Sequence, residues 1–190
     1  MAASRIATKA VVEPVALIEG VVIGAVAARS AERAAEAAHR WGVARSFGSY
    51  EELVASDVDA VYIGTPAALH RPWAVASLEA GKHLLCEKPL ASNADDAQVI
   101  ADAAANAAGR GVVAMEAFHW RYHPYVEQIR SVLESGDLGE VERVTTRFDI
   151  QNGHIGRDDI RWNLTIGGGA LMDLGCYNIQ WLRFVGQVLD

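Results

Sequence analysis

The sequence predicts an α/β protein: a doubly wound parallel sheet lacking its first strand, followed by the beginning of a second, α+β domain. Three observations carry the prediction. From Val21 to Met115, short apolar runs alternate with alanine-rich or amphipathic helical stretches, the β-α-β rhythm of a parallel sheet covered by helices on both faces. No strand precedes the segment Ala2–Ala7, which already reads as a turn and the first helical residues. From Tyr122 onward the alternation stops. The boundary is placed near Phe118, giving a first domain of residues 1–117 and a second of residues 118–190.

The elements follow in order. Val21–Ala28 reads as a strand buried on both faces, because a parallel-sheet strand is covered on each side and becomes a continuous apolar run. Ser30 is an N-cap for a helix over Ala31–Ala38 that stops near Gly42, and Ser49 precedes a short helix at Tyr50–Val54. Val58–Ile63 is a second buried strand ending at Gly64-Thr65-Pro66. A helix over Ala67–Ala80 closes at Gly81, a residue type suited to the position after a helix C-terminus. His83–Cys86 is a third strand ending at Glu87-Lys88-Pro89. Asn93 caps a helix at Ala94–Ala108, and Gly109-Arg110-Gly111 turns into a strand at Val112–Met115. In the second domain, Val126, Ile129, Val132 and Leu133 mark an amphipathic helix ending at Gly136. Val141–Ile150 alternates like a strand with one wet face, Gln151–Asn163 is a polar loop, and Gly167-Gly168-Gly169 opens a helix running to about Val185.

Composition removes several classes of function. The chain has 190 residues, 51% of them hydrophobic, enough for one sizeable core and part of a second. A net charge of −7, with the basic residues scattered singly, argues against a nucleic-acid surface and against an anionic membrane surface. The longest early apolar run is too short to span a bilayer. Cys86 and Cys176 have no Cys or His at ligand spacing, so no metal site is expected. They read as reduced, buried thiols of a cytoplasmic protein.

In an open parallel sheet, ligands gather beyond the carboxyl ends of the strands, where Arg29, Thr65 and Lys88 fall. Lys88, set between Glu87 and Pro89, can hold an ammonium over such a crevice, although a surface lysine beside a turn proline explains the tripeptide equally well. Asp173 and Tyr177 lie one helical turn apart after three glycines that let the backbone approach a ligand. A phenol is a poor base at neutral pH unless a cation such as Lys88 favours the phenolate. Alternatively, Asp173 merely complements a helix N-terminus and Tyr177 is an ordinary half-buried aromatic. The hydroxyl of Thr65, followed by Pro66, can hold a ligand's ribose. His70, one turn into the next helix, ranks below Lys88 because a lone helical histidine is usually structural.

Taken in order, Gly64-Thr65-Pro66 with His70, then Glu87-Lys88-Pro89, then Gly168-Gly169-Ala170-Leu171-Met172-Asp173-Leu174-Gly175-Cys176-Tyr177 resemble the Gfo/Idh/MocA oxidoreductases. Met115-Glu116-Ala117-Phe118 through Arg121 and Pro124 resemble the branch holding dimeric dihydrodiol dehydrogenase and NADP-dependent D-xylose dehydrogenases. The resemblance implies a Rossmann-like nucleotide domain and hydride transfer between a nicotinamide cofactor and a sugar, polyol or diol carbinol. It implies that Lys88, Asp173 and Tyr177 are catalytic, with Tyr177 exchanging the hydroxyl proton and Lys88 stabilising the phenolate. It implies further that Ser4, Arg5, Ile6, Thr65, Pro66, His70, Glu87, Lys88, Arg161 and Trp162 line the cofactor, and that full-length relatives are homo-oligomers.

The strand ending in Ala28-Arg29-Ser30 carries no carboxylate to accept from a ribose 2′-hydroxyl. Arg29 can instead bond a 2′-phosphate with help from Ser30, so NADP is preferred over NAD. Met1 stands where the first turn glycine is expected, and the chain reads as cut short at both ends relative to the family. Two other readings therefore accompany the oxidoreductase: a non-catalytic nucleotide-binding relative, and an inactive fragment. The polar loop, with His154, Arg157, Asp158 and Asp159, suits a hydroxyl-rich ligand or plain solvent.

Overall fold

Short parallel strands and the helices between them frame the first half of the chain. The computed structural model describes residues 4–151 and 154–189, without the side chain of Arg5. The expected turn position at Met1 lies outside the described residues. The chain divides into two compact units between Glu116 and Ala117.

In the first unit, α1 (Arg5–Ala7), a π-helical turn (Thr8–Val12) and α2 (Glu13–Val15) run on as one helical stretch. β1 (Val26–Ala27), α3 (Ala31–Trp41), β2 (Ser46–Phe47), α4 (Tyr50–Ala55) and β3 (Ala60–Ile63) follow. After a 3₁₀ turn at Ala67–Leu69 come α5 (His70–Glu79), β4 (His83–Cys86), α6 (Ala94–Ala108) and β5 (Ala114–Glu116). Every described pairing is parallel, in two separate sheets of order β1-β2 and β3-β4-β5. One core joins the two, with Ala27, Leu53, Val61, Ile63, Leu78, Leu84, Cys86 and Ile100 all buried in it. Trp41 on α3 donates its indole N–H to Thr8 Oγ1 at 3.1 Å, tying the first helical stretch to a smaller cluster of Val26, Ala37, Ala38 and Val43.

The helix starts have local causes. Ser30, Ser49 and Asn93 each sit in extended backbone and accept a hydrogen bond from the main-chain N–H three residues on, relieving one of the orphan donors at a helix start. Gly42 takes a left-handed φ of 66° just past α3, a conformation glycine adopts without steric cost.

The first strand corrects the reading of Val21–Ala28. Only Val26–Ala27 pair, while Val21 and Val22 are 47% and 83% exposed. A strand persists only as far as a neighbour answers it, and β2 supplies two residues. The carbonyl of Gly24 is taken instead by the Arg45 guanidinium at 3.0 Å.

The second unit is helical. A 3₁₀ turn (His119–Tyr122) leads into α7 (Pro124–Glu134). Two further 3₁₀ turns, Ile160–Trp162 and Leu164–Ile166, precede a π-helical turn (Leu171–Gly175) that runs into α8 (Cys176–Leu189). Its core is Phe118, Trp120, Val126, Phe184 and Val185, with Trp120 stacked on Trp181 at 4.1 Å between ring centroids. The strand expected at Val141–Ile150 is not formed, and among the described residues this unit has no strand. Alternation gives a segment one apolar face but not the ladder partner that a strand requires. The last helix also extends past Val185 to Leu189. No helix of the described residues is long and apolar enough to cross a membrane.

Candidate functional site

The turn that leaves β3 holds an unusual concentration of unsatisfied polarity. Thr65, two residues past the end of β3, is 7% exposed. Its Oγ1 and the Oγ of Ser4 are both buried without a hydrogen-bond partner. A buried polar group left unpaired costs about 1–3 kcal/mol, so each hydroxyl is suited to a polar ligand. Gly64 keeps the turn open: a Cβ there would lie 2.9 Å from Ser4 Oγ and 3.1 Å from the Tyr62 ring. Ile6 is 50% exposed beside it in sequence, and Pro66 is half-buried. The backbone of Arg5 opens α1.

β4 delivers the second turn. In parallel register Tyr62 pairs with Leu85 and Ile63 with Cys86, so Tyr62 and Glu87 share one face. The Tyr62 hydroxyl donates to Glu87 Oε1 at 2.8 Å, while Glu87 Oε2 accepts the Lys88 main-chain N–H at 3.2 Å. Glu87 N–H donates to Ile63 O at 2.9 Å, and Leu90 N–H to Glu116 Oε1 at 2.7 Å. The half-buried Lys88 thus projects from a turn fixed on several sides, and the Lys88–Pro89 peptide is cis.

His70 does not present its ring to solvent. It is 1% exposed, with Nε2 2.8 Å from Thr65 O and Nδ1 3.0 and 3.2 Å from Pro89 O and Leu90 O. Burial pulls its pKa below the ordinary imidazole value, against the carbonyl contacts and Glu87, which raise it.

At the end of β1, Arg29 is exposed and Ser30 caps α3, its Oγ accepting from Arg33 N at 3.4 Å and keeping its own O–H to donate. Burial raises the Tyr50 hydroxyl pKa, and the charges of Arg29 and Arg33 oppose that rise. Two guanidinium groups therefore act on this corner.

Within the second unit, Asp173 and Tyr177 sit at the π-helical turn and the start of α8. Such π turns recur at functional sites. Asp173 Oδ2 accepts from Arg161 Nε at 2.9 Å, and Arg161 Nη1 reaches Asp159 Oδ1 at 3.0 Å. Asp159 in turn caps the 3₁₀ turn by accepting from Arg161 N. Arg161 is thus engaged by two carboxylates. Trp162 is 63% exposed, its indole N–H donating to Gly156 O. The Tyr177 ring is met edge-on by Phe118, His119 and Phe148 at centroid distances of 5.4, 5.9 and 5.4 Å.

The glycines before Asp173 have a packing task. A Cβ on Gly168 would meet Asn163 O at 2.6 Å and Arg161 O at 2.7 Å, while Gly168 N and Gly169 N donate to those same carbonyls. The close approach that needs glycine is to the chain's own 161–163 segment. Cys86 is buried as expected, but Cys176 is only half-buried. Its thiol donates to the carbonyl of Met172 at 3.2 Å.

Reasoning from the sequence missed Tyr62 and the rings of His119 and Phe148 at Tyr177, and met Glu116 and Phe118 only as part of a resembling stretch, without a role. Strand parity across β3 and β4 could have found Tyr62, two residues before the turn and on the face of Glu87.

Comparison with known proteins identifies the family and the fold. The oxidoreductase family with an NAD-binding Rossmann fold, Gfo/Idh/MocA, matches residues 3–116, and a Gfo/Idh/MocA C-terminal domain matches residues 126–188. D-xylose 1-dehydrogenase (NADP(+)) 2 of Haloferax volcanii is 42% identical, over 85% of this chain and 49% of its own. Trans-1,2-dihydrobenzene-1,2-diol dehydrogenase of Xenopus tropicalis is 37% identical, over 85% and 47%. The structure of KijD10, a 3-ketoreductase from Actinomadura kijaniata in complex with NADP and TDP-benzene, superposes with a TM-score of 0.80 at 31% identity. It covers 96% of this chain and 55% of that one. The chain spans about half the length of the curated relatives it matches. Its two units, its parallel strands and its ordered turns make it a member of the Gfo/Idh/MocA oxidoreductase family.

Proposed function

We propose that this chain carries the nucleotide site and the proton-transfer residues of an NADP-dependent oxidoreductase acting on a sugar, polyol or diol carbinol. The observation that carries the reading is the pair of orphaned hydroxyls, Ser4 Oγ and Thr65 Oγ1, at the turn kept open by Gly64. They fit a ligand rich in hydroxyl and phosphate oxygens, as does the neighbouring main chain of Arg5 and Ile6. Bound nicotinamide supplies the hydride acceptor or donor. Thr65, Pro66, Glu87 and Lys88 hold its end of the cofactor, and Arg29 with Ser30 receives a 2′-phosphate.

Tyr177 takes or returns the carbinol proton at its phenolic oxygen, and Lys88 is a cationic residue of the strand-end turns. Asp173, whose Oδ2 accepts from Arg161 Nε at 2.9 Å, orients the substrate hydroxyl rather than moving a proton itself. That engagement gives Arg161 a supporting part, with Trp162 left to line the cofactor. The relatives named above as xylose and dihydrodiol dehydrogenases set the first substrates to try. Cytoplasmic placement and self-association belong to the same proposal, resting on the reduced thiols and on the family.

Thr65→Val is the sharpest test of the nucleotide site. Removing an unpaired buried hydroxyl raises thermal stability while NADPH binding weakens. Loss of stability with unchanged binding refutes the assignment. Tyr177→Phe, assayed with D-xylose and a dihydrodiol, abolishes turnover while leaving NADPH affinity intact. Full turnover in that variant removes Tyr177 from the mechanism.

A further inference from the structure

His70 is buried in a way that serving a ligand does not require. All three of its ring contacts are to main-chain carbonyl oxygens, one at Thr65 and two at Pro89 and Leu90. Those carbonyls belong to the two strand-end turns that hold the orphaned Thr65 hydroxyl and Lys88. The Lys88 turn is otherwise tied through Glu87 to Tyr62 and Ile63 and through Leu90 to Glu116. The imidazole therefore links the Thr65 turn to the Lys88 turn from the side of α5.

We infer that His70 is a positioning residue for Lys88, fastening the turn that carries the lysine to the turn at Thr65 through main-chain carbonyls. The inference deepens the proposed reading and rests on it for the importance of Lys88. Carbonyl oxygens only accept, so each contact that is a hydrogen bond takes its proton from the ring. A neutral imidazole has one N–H to give and an imidazolium has two. Burial favours the neutral ring. On this inference the neutral ring carries its N–H on Nδ1, donated to the Pro89 and Leu90 carbonyls of the Lys88 turn, while Nε2 packs against the Thr65 turn without donating. The charged groups on the surrounding elements are Glu87 and Lys88 after β4, Glu116 on β5, and Arg71 on α5 paired with Asp96 on α6 at 2.9 Å.

The test uses the fact that the chain has only three lysines, Lys9, Lys82 and Lys88. Trace acetylation with acetic anhydride, read by mass spectrometry of the digested chain, gives the labelling rate of Lys88 relative to the exposed Lys9. Lys82, whose ammonium donates to Ser56 O, serves as a structural control. His70→Phe keeps a ring and loses every donor. His70→Asn places an amide N–H where Nδ1 stands, and His70→Gln places one where Nε2 stands.

In His70→Phe the Lys88 ratio changes by about threefold or more, at the lower end of what coupling through one packed side chain delivers. Asn, which still reaches the Pro89 and Leu90 carbonyls, brings it back toward wild type, and Gln does not. The Lys82 ratio stays constant throughout. If His70→Phe does not fold, the comparison of Asn with Gln decides alone. Equal Lys88 labelling in wild type and the donor-deficient variants overturns the inference, as does a Lys82 change that follows the Lys88 change. Labelling needs neither cofactor nor substrate. A null result there leaves hydride transfer standing, and an absence of turnover leaves the labelling result standing.

Discussion

Gly64→Ala probes the turn after β3 with one methyl group. The new Cβ would sit 2.9 Å from Ser4 Oγ, 3.1 Å from Tyr62 Cε1 and 3.2 Å from the Tyr62 hydroxyl, all inside ordinary van der Waals contact. Ser4 can swing its hydroxyl aside. Tyr62 cannot yield so readily, because its hydroxyl is anchored on Glu87 at 2.8 Å. Crowding of this kind costs about 1–3 kcal/mol, and a domain of this size loses roughly 4 °C of melting temperature for each kcal/mol. A fall of about 4–12 °C is therefore expected. The same methyl occupies space beside the orphaned Ser4 hydroxyl, so NADPH affinity drops roughly tenfold or more, the effect of one misplaced carbon in a fitted site. Gly109→Ala is the control. Its φ is −61° and the nearest atom to its Cβ is 3.9 Å away, so it stabilises by about 0.4–1 kcal/mol through the unfolded chain. Calorimetry and a fluorescence titration of NADPH read both quantities. A Gly64→Ala protein with wild-type melting temperature and wild-type affinity refutes the crowding and the site together. Lower stability with wild-type affinity places the nucleotide elsewhere.

Three further outcomes follow from the same geometry. In a cycle of Arg161→Met, Asp173→Asn and the double variant, the two single losses of stability are not additive, with a coupling of about 0.5–3 kcal/mol, because each removes the 2.9 Å ion pair; additive losses would show the pair to be idle. Since the folded pKa of His70 lies below the unfolded value near ~6.5, its contribution is intact above that pH and declines as pH falls toward the folded pKa; the melting temperature of wild type thus falls relative to His70→Asn between about pH 7 and pH 5, and parallel curves would contradict this. Asn93→Ala removes the 2.8 Å bond to Asp96 N and costs about 1 kcal/mol in a denaturant melt, whereas an unchanged midpoint would mean the cap is replaced by water.

What the sequence discloses here is what is decided locally. Ser30, Ser49 and Asn93 cap helices because each carries its acceptor within three residues of the N–H it serves, and β4 and α6 begin and end where their flanking residues indicate. The failures are non-local. Val21 and Val22 carry a strand's composition but only two residues of β2 stand opposite, so the ladder stops at Val26. Val141–Ile150 alternates without acquiring a partner. The triple glycine is visible in the sequence, yet its reason lies in the 161–163 carbonyls that crowd Gly168. Lys88, Thr65 and Tyr177 were legible as strand-end and helix-start residues. The contacts of Tyr62 with Glu87, of Glu116 with Leu90 and of Arg161 with Asp173 depend on register or on loop closure, and a spacing pattern does not encode either. His70 was legible as a residue of interest, but the three carbonyls around its ring appear only when the two turns meet.

Binding of NADP at the strand ends of the first unit is read by titrating the 190-residue chain with NADPH and with NADH, and by repeating both titrations on Arg29→Asp. NADPH binds the wild-type chain more tightly than NADH, and the preference reverses in the variant. Equal affinity for the two nucleotides in both proteins, or no binding of either, contradicts this placement of NADP.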